Sequence, residues 1–297
     1  MLHFTLTRFV AGALVACAAI VFATPSMAQH AYPSAEAASE ALVDAISQND
    51  EAELRRVLGA NWRSFVPEGS MGRDDIDAFL AAWKKQHRIV RGVRGESLLE
   101  VGDAGWTLPI PLLERAGRWN FDVAAGALIM RERGVRRNEM AAVQAALAYY
   151  DAQKEYASRD RDGNGVLEYA QKFVSAPGRH DGLYWADSTA QEQSPLGPLY
   201  VTQAPGAGYH GYRFKILKAQ GMSAPGGAYR YVIGGRMRSG FALVAWPLRY
   251  GQTGLESFIV SHAGVVYQKD LGPDTSKAAA AMEVFNPDAS WRKVNVP

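Results

Sequence analysis

The chain has 297 residues, a formal net charge of +2 at pH 7 and 48% hydrophobic residues. The near balance of charge argues against a protein that binds nucleic acid through an excess of basic residues. The length favours two modest domains with ordinary hydrophobic cores, and a single cysteine, Cys17, leaves no pair for a disulfide.

Residues 1–28 have the pattern of a secretory signal peptide. One basic residue precedes an apolar run, Phe9–Ala23, and the small residues Ser26 and Ala28 occupy the −3 and −1 positions. We therefore expect cleavage between Ala28 and Gln29 and a periplasmic or secreted protein. The run is shorter than the roughly 20 residues that a membrane-spanning helix needs, so the mature chain is expected to have no transmembrane span.

Cys17 offers an alternative route to the membrane. The segment Leu14–Cys17 matches a bacterial lipobox, and lipidation there would anchor the N-terminus of the mature protein. Residues Ala18–Ala23 stay apolar, however, where a lipoprotein turns polar after its cysteine. Cleavage at Ala28 is the expectation, and it leaves a mature chain with neither a thiol nucleophile nor a cysteine metal ligand.

Helices precede strands between residues 29 and 135. Ser34 predicts a helix start, Glu51–Leu58 a second helix, and Asp74 the start of a third. Four strand-like segments follow: His87–Val93, Glu96–Val101, Trp106–Leu113 and Arg118–Val123. Helices followed by an antiparallel sheet predict an α+β domain.

This order of elements resembles the cone-type fold of NTF2-like and SnoaL-like proteins. The resemblance implies a pocket between sheet and helices, where some relatives use a buried acid. An enzyme or small-molecule binder acting through that pocket is one alternative function. Asp103 and Asp122 are the acids near the strand ends, but Asp103 reads as part of a glycine-rich turn and Asp122 as a solvated or capping residue. No catalytic residue is predicted.

The second domain is predicted over residues 136–297, after a basic linker, Arg133–Arg137. Asn138 is expected to cap a long helix that reaches Ser158. Glycine and proline turns then separate five strands: Tyr212–Ala219, Tyr229–Ile233, Phe241–Trp246, Ser257–Val260 and Val265–Lys269. A long helix packed on an antiparallel meander resembles the head of type IV pilins and pseudopilins, here without the apolar helix that polymerises pilins.

Several short segments of the mature chain resemble a single family. They are Asp162–Gln171, His180–Trp185, Ser194–Pro198 and Val266–Gly272. Together they are similar to the domain-of-unknown-function 2950 family (DUF2950) of exported proteobacterial proteins. The resemblance spans nearly the whole mature chain and implies no particular reaction.

Residues 160–171 have the spacing of a calcium loop, with a glycine, Gly165, at the sixth position. The predicted ligands are Asp160, Asp162, Asn164, Glu168 and the carbonyl of Val166. Gln171 stands where an EF-hand carries its bidentate glutamate, so the predicted calcium site is weak. The alternative is a polar turn that binds no metal.

A weaker prediction is a ligand-binding surface that includes four further residues: Tyr184, Trp185, His210 and Tyr212. The aromatic members would equally suit a core. The segment Gly206–Gly211 matches the dinucleotide motif G-x-G-x-x-G, but it precedes a predicted strand instead of a helix, which excludes that use.

The composite prediction is a non-enzymatic binding or scaffolding module of the cell envelope. Its partner would be an envelope protein that the sequence does not identify. A pilus or secretion-system accessory subunit is the second alternative.

Overall fold

A computed structural model describes residues 29–64, 66, 72–161, 163–186, 193–197 and 208–295. The predicted signal peptide up to Ala28, with Cys17, and the loop residue Asp162 lie outside the described residues. The chain divides into two compact units, one ending at Gly126 and the other beginning at Ala127.

The N-terminal unit begins with three α-helices and a short 3-10 helix, Trp62–Ser64. The helices are α1 (Ala35–Ser47), α2 (Glu51–Leu58) and α3 (Arg73–Lys85). The hydroxyl of Ser34 accepts a hydrogen bond from the amide of Ala37 at 3.0 Å, which satisfies a free donor at the start of α1. The predicted cap at Ser34 is confirmed.

An antiparallel sheet follows the helices of this unit. Its strands are β1 (His87–Arg91), β2 (Ser97–Val101), β3 (Trp106–Thr107), β4 (Leu112–Arg115) and β5 (Arg118–Phe121). They pair in the order β1-β2-β4-β5, with β3 also on β2. Leu42 of α1 and Phe121 of β5 are buried in the shared core, so the helices pack on this sheet.

Helix α4 (Val123–Tyr156) begins earlier than the sequence suggested. The carboxylate of Asp122 accepts a hydrogen bond from the amide of Ala125 at 2.9 Å near the helix start. Arg133–Arg137 lies inside the helix and is not a linker, because arginine is a good helix former and no proline interrupts the segment. Asn138 does not cap a helix; its side-chain amide donates to the carbonyl of Thr253 at 2.9 Å.

The C-terminal unit contains ten strands and α5 (Thr275–Ala281) among its described residues. Its strands are β6 (Tyr212–Leu217), β7 (Ala219–Gln220), β8 (Tyr229–Arg230), β9 (Val232–Ile233), β10 (Arg236–Met237), β11 (Ala242–Pro247), β12 (Glu256–Ser261), β13 (Val266–Asp270), β14 (Val284–Phe285) and β15 (Arg292–Lys293). The main sheet has the order β15-β13-β12-β11-β6, and every pair in it is antiparallel. In a smaller sheet, β14 pairs with β7 in parallel.

The main sheet of this unit is covered on both faces at its centre. Every residue of β11 is buried. Tyr149 of α4 and Ala279 of α5 are fully buried in the same core as that strand. The chain is therefore an α+β protein with mainly antiparallel sheets, as the sequence predicted.

Candidate binding site

The acidic loop after α4 brings several predicted ligands together. The carboxylate of Asp160 accepts hydrogen bonds from the amides of Asn164 at 3.1 Å and Gly165 at 2.7 Å. The side chain of Asn164 accepts from the amide of Val166 at 2.9 Å. Its NH₂ group donates to Glu168 at 2.9 Å. Four of the five predicted ligands thus lie in one hydrogen-bonded loop, and the fifth, Asp162, is outside the described residues.

The donor set of this loop suits calcium better than a transition metal. Within the described part of the chain, no group of three or more His, Cys, Asp or Glu side chains is placed to hold a metal ion. Calcium also takes amide and backbone carbonyl oxygens, such as those of Asn164 and Val166. A nitrogen of Arg236 lies 3.9 Å from the carboxylate of Glu168, and this nearby cation reduces the attraction of that carboxylate for a metal. Calcium binding stays a prediction.

The segment after the loop is fixed against α4 and a β-hairpin. Gln153 of α4 bonds both backbone groups of Ala170, accepting from its N–H and donating to its carbonyl at 2.8 Å each. The amide of Tyr169 donates to the carbonyl of Met237 at 2.7 Å. The side chain of Gln171 donates to the carbonyl of Gly235 at 2.7 Å. These bonds hold the segment beside the hairpin of β9 and β10.

The hairpin turn consists of Gly234 and Gly235. Their φ angles are +58° and +80°, which side chains other than glycine rarely adopt. A two-residue turn with positive φ at both positions matches the twist of the flanking strands. It sets Arg236 at the start of β10, facing the loop.

These elements enclose a cleft of about 510 Å³ within the C-terminal unit. We call it the loop cleft. Its charged wall residues are Glu168, Lys172, Asp181, Lys218 and Arg236, and the rings of Tyr156 and Tyr169 also line it. Basic residues therefore outnumber acidic ones around this space.

Two of the five charges neutralise each other. Lys172 donates to the carboxylate of Asp181 at 2.6 Å. Burial opposes ionisation of Asp181, but the hydrogen bonds from Lys172 and from the amide of Ala176 outweigh it, and the pKa of Asp181 is lowered. Glu168 is then left facing the two cations Lys218 and Arg236.

The guanidinium of Arg236 contains a hydrogen-bond donor that lacks an acceptor among the described residues. Its Nη1 is buried and has no hydrogen-bond partner among the described residues. The 3.9 Å separation from Glu168 exceeds hydrogen-bond range. A buried N–H group without an acceptor is unfavourable, so this nitrogen is suited to an acceptor brought by a ligand.

The four residues of the weak binding prediction lie elsewhere, and none is among the lining residues of the loop cleft. Trp185 is buried and stacks on His180 with ring centres 4.3 Å apart, while its neighbour Tyr184 is half-buried. His210 is exposed in the turn that precedes β6. Tyr212 is fully buried and donates to the carbonyl of Glu256 at 2.8 Å.

The acids considered in the N-terminal unit have structural partners. Asp103 is exposed and forms an ion pair with Lys85. Asp122 accepts the hydrogen bond at the start of α4. Asp103 lies in a turn and Asp122 at a helix start, in agreement with the turn and the capping role that the sequence favoured for them.

A family model described as "Protein of unknown function (DUF2950)" matches residues 29–294. The chain belongs to this family. The DUF2950 match takes in every residue that lines the loop cleft. A search of curated proteins and a search of solved structures gave no match. Among the described residues of this DUF2950 protein, no helix combines the length and apolarity needed to cross a membrane.

Sequence reasoning identified Glu168 but missed Lys218 and Arg236. The contact between Gln171 and Gly235 joins positions 64 residues apart, and no local pattern reports such a contact. The Gly234–Gly235 pair ahead of Arg236 was the available signal, since two consecutive glycines between strand-like residues indicate a tight hairpin.

Proposed function

We propose that the chain is a non-enzymatic binding module of the cell envelope and that its loop cleft takes a small organic anion. The observation that carries this proposal is the buried Nη1 of Arg236, which lacks a hydrogen-bond partner among the described residues.

The chemistry of arginine favours a carboxylate or a phosphate. A guanidinium presents a planar set of donors that matches either group with two parallel hydrogen bonds. The exposed Lys218 adds a second positive charge at the same cleft. Glu168 lies close enough to orient Arg236 electrostatically but too far to take its hydrogen bond.

The remaining walls favour an organic body attached to the anion. The half-buried Tyr169 offers ring surface, and small-molecule sites combine apolar and aromatic walls with a few polar anchors. The volume of about 510 Å³ falls in the usual range for such sites, roughly 300–1,000 Å³. A bare inorganic ion would leave this surface unused.

The proposal also includes the type of fold of each unit and the cellular location of the protein. We propose a pilin-like arrangement for residues 136–297, supported by α4 sharing one core with an antiparallel sheet. An NTF2-like arrangement for the N-terminal unit is supported by three helices ahead of a five-stranded sheet. Export to the periplasm, with cleavage before Gln29, rests on the sequence of residues 1–28.

Calorimetric titration tests the ligand class. Benzoate and phenyl phosphate are the probes, and benzyl alcohol is the uncharged control. We expect the anions to bind, the alcohol to bind far more weakly, and Arg236→Gln to reduce anion affinity by about tenfold or more, as for loss of a charge-assisted hydrogen bond.

The matched control variant is Arg249→Gln, which removes an exposed arginine of the same unit that does not line the loop cleft. It should bind the anions like the wild type. Equal affinity in the wild type and in Arg236→Gln would refute the assignment of the anion site.

A further inference from the structure

A second cleft, independent of the loop cleft, lies between α4 and the main sheet and has a volume of about 490 Å³. We call it the α4 groove. On the helix side it is lined by Arg136, Glu139, Met140, Val143 and Gln144. Their spacing places them on one face of α4. The sheet side includes Glu256 and Phe258 of β12 and Arg292 of β15.

The carboxylate of Glu256 is only half satisfied. Its Oε1 accepts a hydrogen bond from Arg292 at 2.8 Å. Its Oε2 is buried and has no hydrogen-bond partner among the described residues. A buried carboxylate oxygen without a donor is unfavourable, which marks this atom as the acceptor for a group that the chain itself does not supply.

Two other acids lie near this carboxylate. Burial is the largest effect that raises the pKa of Glu256, and the nearby carboxylates of Glu139 and Asp270 add to the rise, against the opposing effect of Arg292. The carboxylate of Glu139 is held in place by the amides of Leu255 and Glu256, at 2.9 and 3.2 Å. A further cation beside Glu256, in addition to Arg292, would relieve this repulsion.

The surroundings select the kind of cation. Val143, Phe258 and Val294 form apolar walls, and the side chain of Met140 is 64% exposed at the rim. Only two carboxylates, those of Glu139 and Glu256, line the groove, and no group of three or more His, Cys, Asp or Glu side chains among the described residues is placed to hold a metal ion. An ammonium group on an apolar body brings up to three donors for the carboxylates and hydrocarbon for the walls.

We propose that the α4 groove binds an organic ammonium ligand, whose N–H groups donate to Glu256 and whose apolar body lies on Val143, Phe258 and Val294. This site is separate from the anion site in the loop cleft and carries the opposite charge preference. The chain would then hold two ligands of opposite charge in one unit.

Hexylammonium chloride is the probe, with hexanol and sodium hexanoate as neutral and anionic analogues of the same chain length. Calorimetry should show hexylammonium binding more tightly than either analogue. Glu256→Gln keeps the shape and removes the charge, so it should weaken hexylammonium binding by about tenfold or more. The exposed Glu283, paired with Lys215, provides the control Glu283→Gln, which should leave binding unchanged.

A second pair of variants tests the site without changing a buried group. Met140→Lys sets a tethered ammonium at the rim of the α4 groove and should weaken hexylammonium binding. Met222→Lys adds the same charge at a position that is 80% exposed elsewhere in the unit and should not. Hexanol binding as tightly as hexylammonium, or equal binding in Met140→Lys and Met222→Lys, would overturn the proposal.

Discussion

A single buried amide, that of Gln153, fixes one side of the loop cleft. It is fully buried and bonds both backbone groups of Ala170, and its NH₂ also lies 2.9 Å from the hydroxyl of Tyr149. The side chain therefore gives the backbone of Ala170 the two hydrogen bonds that a neighbouring β-strand would otherwise provide. Because Glu168 and Tyr169 immediately precede Ala170, this amide also sets their position in the cleft.

Replacing Gln153 with alanine should destabilise the fold strongly. The N–H and carbonyl of Ala170 would both lose their partner in a buried site, at about 1–3 kcal/mol each. Chemical denaturation measures the change, with Gln252→Ala in an exposed turn as the control. A loss below about 0.5 kcal/mol, which is usual for surface substitutions, would show that the two bonds contribute little.

A second residue, His262, makes the stability of the same unit depend on pH. Its Nε2 lies 3.2 Å from the hydroxyl of Tyr229, and its Nδ1 is buried without a hydrogen-bond partner among the described residues. The rings of Tyr231 and Phe241 pack around it, with centroids 5.6 and 6.3 Å away. Burial disfavours the imidazolium and lowers the pKa of His262.

The lowered pKa fixes the direction of a pH effect on stability. The unfolded chain takes up the proton near pH 6.5, before the folded chain does, so protonation favours unfolding. Stability from this residue is complete above about pH 6.5 and declines as the pH falls below it. Melting temperatures measured between pH 7.5 and 5.5 should fall less in His262→Gln than in the wild type.

The exposed His210 gives the control for that comparison. Its φ of +47° suits asparagine, so His210→Asn replaces an exposed histidine without backbone strain. This variant should keep the pH slope of the wild type. A slope that is the same in His262→Gln would mean that other groups control the acid sensitivity.

At the scale of elements, local signals located most helices and strands but misplaced the start of α4. The caps at Ser34 and Asp50 are short-range features, and the helices that follow them begin where expected. The basic run Arg133–Arg137 and then Asn138 looked like a break. In the structure, the side-chain amide of Asn138 donates instead to the carbonyl of Thr253. The two residues are 115 positions apart in the chain, so a local sequence pattern does not reveal this contact.

The short strands show the same limit. Strands β7, β10, β14 and β15 have two residues each, and partners elsewhere in the chain define them. The parallel pairing of β14 with β7 joins Val284 to Ala219. Alternation of hydrophobic and polar residues can be recognised only over about four residues or more, so a two-residue strand cannot be predicted from it.

The acidic loop supplies a prediction about calcium. Its oxygen groups suit that ion, and Gln171 in place of a glutamate, together with Arg236 beside Glu168, points to a dissociation constant near the weak range of about 10⁻⁴–10⁻³ M. Calcium at several millimolar should then raise the melting temperature, because it binds only the folded loop.

The variant Asp160→Ala removes a carboxylate that accepts hydrogen bonds from two backbone amides in the loop. It should abolish the calcium-induced rise in melting temperature. Magnesium at the same concentration controls for ionic strength. A wild-type melting curve that calcium leaves unchanged would show that the loop is a polar turn only.

At the scale of the whole molecule, a nearly neutral chain concentrates charge in particular places. The formal net charge is +2 over 297 residues, yet the loop cleft sets Lys218 and Arg236 against one acid, Glu168, because the other acid, Asp181, pairs with Lys172. The α4 groove instead contains an unsatisfied carboxylate oxygen. Composition predicted no such sites, because both arise from residues that only the fold brings together.

Nuclear magnetic resonance tests whether the loop cleft binds a small organic anion through Arg236. Titrating phenyl phosphate into ¹⁵N-labelled protein should shift the amides of Tyr169–Lys172 and Gly234–Arg236 together, with one dissociation constant. The amides of Val143 and Gln144 in the α4 groove should stay in place. Shifts that spread over exposed lysines and arginines, or that persist unchanged in Arg236→Gln, would show that Arg236 does not form an anion site in the loop cleft.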